Sequence, residues 1–179
     1  MADFRTEYEK VYEAIRNAVI AGQYAPGERL PQRKLAETFA TTTITVREAL
    51  EGMAARLAAE NVTEEEKTVL MKMAEECDRE LVSDRMSRQD KASLHYKLHE
   101  KIVNITRCPE LIQSINRNNL HTVILSNAYH IDWRHDNPQR HRTLVQSIVS
   151  GAPDQAERTM REHVRDGYAM ELKALQNGA

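Results

Sequence analysis

The chain has 179 residues, 41% of them hydrophobic and 29% charged, which is enough for one good core or for a small module joined to a larger one. Its net charge of -2 rules out a general attraction to phosphate backbones or anionic membranes, so any nucleic-acid contact has to come from a local patch. Cys77 and Cys108 are far apart with no CxxC pairing, no signal-peptide core opens the chain and no apolar run could span a bilayer. A soluble, cytoplasmic protein without a disulfide scaffold is predicted.

Few Gly and Pro and many Ala, Leu, Glu, Arg and Met predict an all-α protein. From about Arg5 to Ala21, Val11, Ala14, Ile15, Ala18 and Val19 recur at helical spacing, and Gly22 ends the pattern. A Pro-Gly turn in GQYAPGERLPQ leads to a short helix in RKLAETFA. The β-branched run TTTI then breaks the chain before TVREALEGMAARLAAE, with Val46, Ala49, Leu50, Met53, Ala54 and Leu57 as an apolar stripe. Thr63 and Glu66 form a capping box that starts a helix near residue 64, running to the low eighties with Val69, Leu70, Met73 and Leu81 inward.

The next helix spans roughly Gln89 to Thr106 with Leu94, Leu98, Ile102 and Ile105 inward. Pro109 opens another that continues through Leu111, Ile112, Ile115, Leu120, Val123, Ile124 and Leu125. NAYHIDWRHDNPQR is the longest polar interruption and reads as a solvated connection. Trp133 and Tyr129 could line a pocket mouth there, or simply pack. A helix from about 139 to 150 stops at Gly151, and Pro153 sits in the first turn of a last helix reaching about Gln176.

His95 and His99 are i and i+4 on one helix, within reach of a common ion. That spacing alone is equally the signature of exposed or core-satisfied histidines.

The stretch VYEAIRNAVIAGQYAPGERLPQRKLAETFATTTITVREAL resembles the N-terminal winged helix-turn-helix of the GntR family of bacterial transcription regulators. The shared features are PGERL, LAE and VREAL in order. From about Leu50 onward the chain resembles the FadR-like branch, whose C-terminal FCD domain is an antiparallel helical bundle. The resemblance divides the chain into residues 1–50, a DNA-binding helix-turn-helix, and residues 51–179, an effector- and metal-binding bundle. It also implies a ligand set of His95, His99, His141 and His163, holding a divalent metal. The family most often has Asp or Asn where this chain has His95. An all-imidazole cage would favour zinc, nickel or iron(II) and an anionic group in the open position.

By the same resemblance Arg33, Thr42, Thr43, Thr45 and Arg47 fall where GntR regulators contact DNA. Thr43 stands where most have Arg, which can hold a guanine with two hydrogen bonds where threonine makes one short contact. In residues 1 to 50 the basic and acidic side chains balance, so this half is not basic for a DNA-binding module. After VREAL the family continues with a β-hairpin wing and a linker, whereas this sequence passes directly to LEGMAARLAAE. Two intact signatures that abut in this way favour a missing middle segment over a natural wingless form. VREALEGMAARLAAE also fits the first FCD helix, in which Arg47 would be an effector-pocket arginine.

The expected function is a metabolite-responsive transcription regulator, not an enzyme. It would bind a palindromic operator as a homodimer and respond to a small organic acid, a carboxylate, in the bundle. The alternatives are a DNA-inactive helical metal or ligand binder and a histidine-ligated metalloenzyme. For the last, His130, Asp132, His135 and Asp136 are the general-base candidates.

Overall fold

The computed structural model describes residues 7–21, 32–38, 42–117, 131, 133 and 137–177. The described elements are α1 (Glu7–Ile20), α2 (Gln32–Thr38), α3 (Thr43–Asn61), α4 (Glu64–Leu81), α5 (Arg88–Ile105), α6 (Pro109–Arg117), α7 (Arg140–Val149) and α8 (Pro153–Asn177). The all-α reading holds, and the helix limits match the sequence signals closely. Thr63 accepts from the Glu66 amide while the Glu66 carboxylate accepts from the Thr63 amide, completing the expected capping box. Gly151, at φ 70°, ends α7 in the left-handed conformation that costs glycine little. The part of the α6 reading that covers Leu120, Val123, Ile124 and Leu125 lies outside the described residues, as do Tyr129, His130, Asp132, His135 and Asp136.

Two apolar clusters share α3 and α5. The first gathers Val11 and Ile15 of α1, Leu35 and Ala36 of α2, and Val46, Ala49, Leu50 and Ala54 of α3, together with Val103 of α5 and Leu111 and Ile115 of α6. The second joins Ala55, Ala58 and Ala59 of α3 to the inner faces of α4, α5, α7 and α8. The helix-turn-helix half is thus packed against α5 and α6 as well as on itself. α3 runs without interruption from VREAL into GMAARLAAE.

α8 lies antiparallel along α3. Arg165 donates to both carboxylate oxygens of Glu48, at 3.3 and 2.8 Å. Eight residues further along α3, Arg56 donates to Asp154 at 2.5 Å and to Glu157 at 3.2 Å. Between these clasps the α3 face carries Gly52 and Ala55, and Ala59 continues it at helical spacing beyond Arg56. With no side chain at Gly52 and only methyl groups at the two alanines, the face permits close approach of the two helices.

One inward assignment needs correction. Val69 is 45% exposed, because the buried face of α4 follows Leu70, Ala74, Cys77 and Leu81, one position on from it. Leu94 is half-buried and packs against the second cluster, as Met73 does.

Enlarging the α3–α8 contact tests this packing. Ala55→Leu forces a branched side chain into a site with no exposure, and should destabilise the fold by about 2 kcal/mol. The check is a lower urea midpoint at unchanged denaturant slope.

Candidate metal centre

His95 and His99 project from α5 toward His163 of α8. The Nε2 atoms of His99 and His95 are 3.2 Å apart, those of His99 and His163 3.1 Å, and those of His95 and His163 3.4 Å. Donors about 2.1 Å from one ion stand roughly 3.0 Å apart at octahedral angles and 3.4 Å at tetrahedral ones. The three donors therefore have the mutual spacing of ligands to a single ion. His99 and His163 are buried and His95 is half-buried.

The fourth expected ligand, His141, heads α7 beside this group. Its ring centroid is 5.1 Å from that of His95 and 5.2 Å from that of His163. It is buried, and its Nε2 has no hydrogen-bond partner among the described residues. It is not one of the three whose donor atoms converge. Trp133 closes the other side, 5.3 Å from the His95 ring.

Carboxylates behind the cluster fix two of these rings. Glu51 of α3 accepts from Arg47 Nε through one oxygen at 3.1 Å and from His99 Nδ1 through the other at 3.0 Å. Burial pushes the Glu51 carboxyl up, but the Arg47 charge and the His99 contact outweigh it and hold the group below its ordinary range. An ionised Glu51 can only accept, so the His99 proton sits on Nδ1 and the Nε2 lone pair faces the cluster. Asp78 does the same for His141, accepting from its Nδ1 at 2.9 Å. The same carboxylate takes the His141 and Arg142 amides at 2.9 and 3.0 Å, so a residue of α4 satisfies the free N–H groups at the start of α7. Burial again opposes ionisation of Asp78, and these hydrogen bonds outweigh it.

Arg140 treats His163 differently. Its Nε donates to His163 Nδ1 at 3.2 Å, its Nη2 to the His163 carbonyl at 2.6 Å, and its Nη1 lies 2.9 Å from the Met170 sulfur. Arg47 and Arg140 together line a cavity of about 30 Å³ over His95, His99 and His163. A water needs roughly 10–15 Å³ by such a measure, so the space admits an ion or two waters and not an organic acid alongside them.

Of the residues expected to meet DNA, Thr42 and Thr43 are exposed at the start of α3 and Thr45 is half-buried. The Thr42 hydroxyl accepts from the Thr45 amide as the helix cap. Arg33 lies in α2; its side chain is outside what is described. Arg47 is 9% exposed and turned into the cavity.

The sequence profile of the FCD domain matches residues 42–166, and that described as bacterial regulatory proteins, gntR family, matches residues 7–65. The chain belongs to the GntR family of regulators, in the branch that carries an FCD domain. The two matches overlap along α3, a helix that contributes to both apolar clusters. Members of the GntR family regulate transcription by binding operator DNA and are not enzymes. A comparison with curated proteins finds no match. No helix among the described residues of this FCD regulator is long and apolar enough to cross a membrane.

Sequence reasoning alone passed over Asp78 and Arg140, whose partners lie 63 and 23 residues away. Glu51 lies in the stretch VREALE that also fits the first FCD helix, but no role was assigned to it there.

The protonation of the rings gives a pH signature. Burial is the largest influence pushing His95, His163 and His141 below the ordinary value of 6.5, with neighbouring rings and Arg140 adding to it. Above that pH neither folded nor unfolded chain carries these protons. As pH falls below it the unfolded chain takes them up first, so stability declines by roughly 1.4 kcal/mol per pH unit for each proton. Glu51 and Asp78 are shifted down and stabilise the fold above their unfolded values of 4.5 and 3.8, so their loss comes only in more acid solution. Urea midpoints measured in chelator should therefore fall between about pH 7 and pH 5. A flat profile over that interval contradicts buried neutral rings.

Proposed function

We propose that the protein is a metabolite-responsive regulator in which a divalent metal and an anionic effector meet at the histidine cluster and alter operator binding through α3. The observation that carries this reading is the convergence of three Nε2 atoms at 3.1 to 3.4 Å beneath Arg47 and Arg140. His95, His99 and His163 would hold the ion, with His141 as a fourth donor if its partnerless Nε2 turns inward. An all-nitrogen set suits zinc, nickel or iron(II) better than magnesium or calcium. The ion would supply positive charge that attracts a carboxylate.

Arg47 belongs to the effector pocket on this reading, since its charge is already engaged by Glu51 at 3.1 Å inside the protein. Thr42, Thr43, Thr45 and Arg33 are left as the candidate DNA contacts. They offer few charged groups to phosphate, so operator affinity should depend weakly on salt. A homodimer binding a palindromic site is the arrangement that places two recognition helices in successive major grooves.

Coupling between the sites is ordinary linkage: a ligand that prefers one placement of α3 shifts operator affinity by its differential affinity for the two placements. Residues 1–50 would act as the DNA-binding unit and residues 51–179 as the sensing unit, with α3 crossing the boundary.

Elemental analysis of the purified chain, with and without His99→Ala, tests the metal. One ion per chain is expected, lost in the variant, with added zinc raising the thermal midpoint of the parent alone. Unchanged metal content in His99→Ala would falsify the assigned ligand set. Arg47→Lys, which keeps a cation beside Glu51 but loses the planar two-pronged donor set, should weaken the response to carboxylates while leaving basal operator affinity, read by fluorescence anisotropy, nearly as it was. Loss of DNA binding instead would return Arg47 to the recognition surface.

A further inference from the structure

His99 and His141 present the same hydrogen-bonding logic, and His163 breaks it. A neutral imidazole that gives its Nε2 lone pair to a metal carries its proton on Nδ1, where it needs an acceptor. Glu51 and Asp78 are such acceptors for His99 and His141. The group at His163 Nδ1 is the Nε–H of Arg140, at 3.2 Å. Guanidinium has no acceptor and keeps its protons at any pH the protein meets. His163 Nδ1 must therefore be the bare nitrogen, and the ring proton lies on Nε2, pointing at His99 and His95.

We infer that Arg140 is a lock on the metal centre: while it holds His163 Nδ1 it keeps this ring in the tautomer that cannot ligate, and an anion that draws the guanidinium away releases the ring to bind. The inference rests on the metal reading above. When the lock opens, the His163 proton leaves Nε2 and a proton is taken up at Nδ1, so the ring stays neutral and one proton is bound before and after. The Nε2 electron pair then becomes available to the ion.

Two features of the cavity support the exchange. Its volume of about 30 Å³ leaves no room for an organic acid while Arg140 lines it, so entry of one and displacement of the other are the same event. Two further Arg140 contacts go to replaceable groups, a backbone carbonyl and the Met170 sulfur. A carboxylate offers the guanidinium two parallel hydrogen bonds in their place. Metal and anion would therefore bind with positive cooperativity, although both reach the same arginine-lined space.

Ring-nitrogen NMR on the full chain prepared in chelator tests the lock directly, with the His163 signals assigned by their loss in His163→Gln. In the unsubstituted protein His163 should show a protonated Nε2 and a bare Nδ1, the reverse of His99 and His141. In Arg140→Met, His163 should shift toward the Nδ1-protonated form, and zinc affinity, read by competition with a chromophoric chelator, should rise about tenfold. Acetate, a carboxylate that complexes zinc only weakly, should tighten zinc binding to the unsubstituted protein and leave Arg140→Met unchanged. A protonated Nδ1 on His163 in the unsubstituted chain overturns the lock without recourse to any variant. Equal zinc affinity in the two proteins overturns it while leaving the metal reading standing. Zinc binding to neither protein overturns the metal reading and the lock with it. Any other acetate pattern overturns the link to anions.

Discussion

Glu51 carries a charge where water cannot reach it, and much of the molecule is arranged so that it can. A carboxylate 2% exposed in the middle of a helix would cost several kcal/mol if left alone. It is tolerated because Arg47, one turn earlier on α3, and His99 of α5 each give it a hydrogen bond. Satisfying that one side chain fixes the register of α5 against α3, sets the tautomer of His99, and turns Arg47 inward. The histidine cluster is thus built outward from a residue that is not itself a candidate ligand. Asp78 plays the matching part on the far side, joining α4 to α7 and orienting His141.

The second constraint is that one helix serves two packing units. Val46, Ala49, Leu50 and Ala54 of α3 belong to the cluster with α1 and α2, and Ala55, Ala58 and Ala59 to the cluster with the bundle. Interiors packed at crystal-like density do not deform smoothly, so a displacement of α3 at Glu51 cannot be absorbed within the helix. The ion pairs from Glu48 to Arg165 and from Arg56 to Asp154 and Glu157 tie the same helix to α8, which bears His163. The histidine cluster and the helix-turn-helix half of this FCD regulator are joined by one continuous helix of five turns, with no loop between them along α3.

Much of this was legible in the sequence, for reasons that can be named. Capping and breaking residues with local effects, such as Thr63, Pro109, Gly151 and Pro153, marked helix ends accurately, because a cap acts within a few residues of itself. The i, i+4 histidine pair was visible for the same reason. The burial of α3 was only half visible. Its apolar stripe through Val46, Leu50 and Leu57 stood out, while Gly52, Ala55 and Ala59 opposite carry too little surface to mark a second buried face. Glu48 and Glu51 carry no local sign of burial, because nothing in the neighbouring sequence tells that their partners are Arg165 and His99. Asp78 and Arg140 were silent for a related reason, as their roles depend on contacts with side chains on other helices. The abutting family signatures hinted at a missing middle, whereas in the structure they share α3.

A shared helix, with the metal centre at its midpoint, is the claim on which the account of regulation stands. Amide hydrogen exchange along α3, compared in zinc and in chelator, addresses it most directly. If α3 acts as one unit, zinc should slow exchange together from Val46 through Ala59, including the part packed on α1 and α2, because opening there would strain Glu51 and the ligand His99 behind it. Protection confined to the residues after Glu51, with the earlier part of α3 exchanging as before, would contradict the claim and leave the two halves mechanically separate.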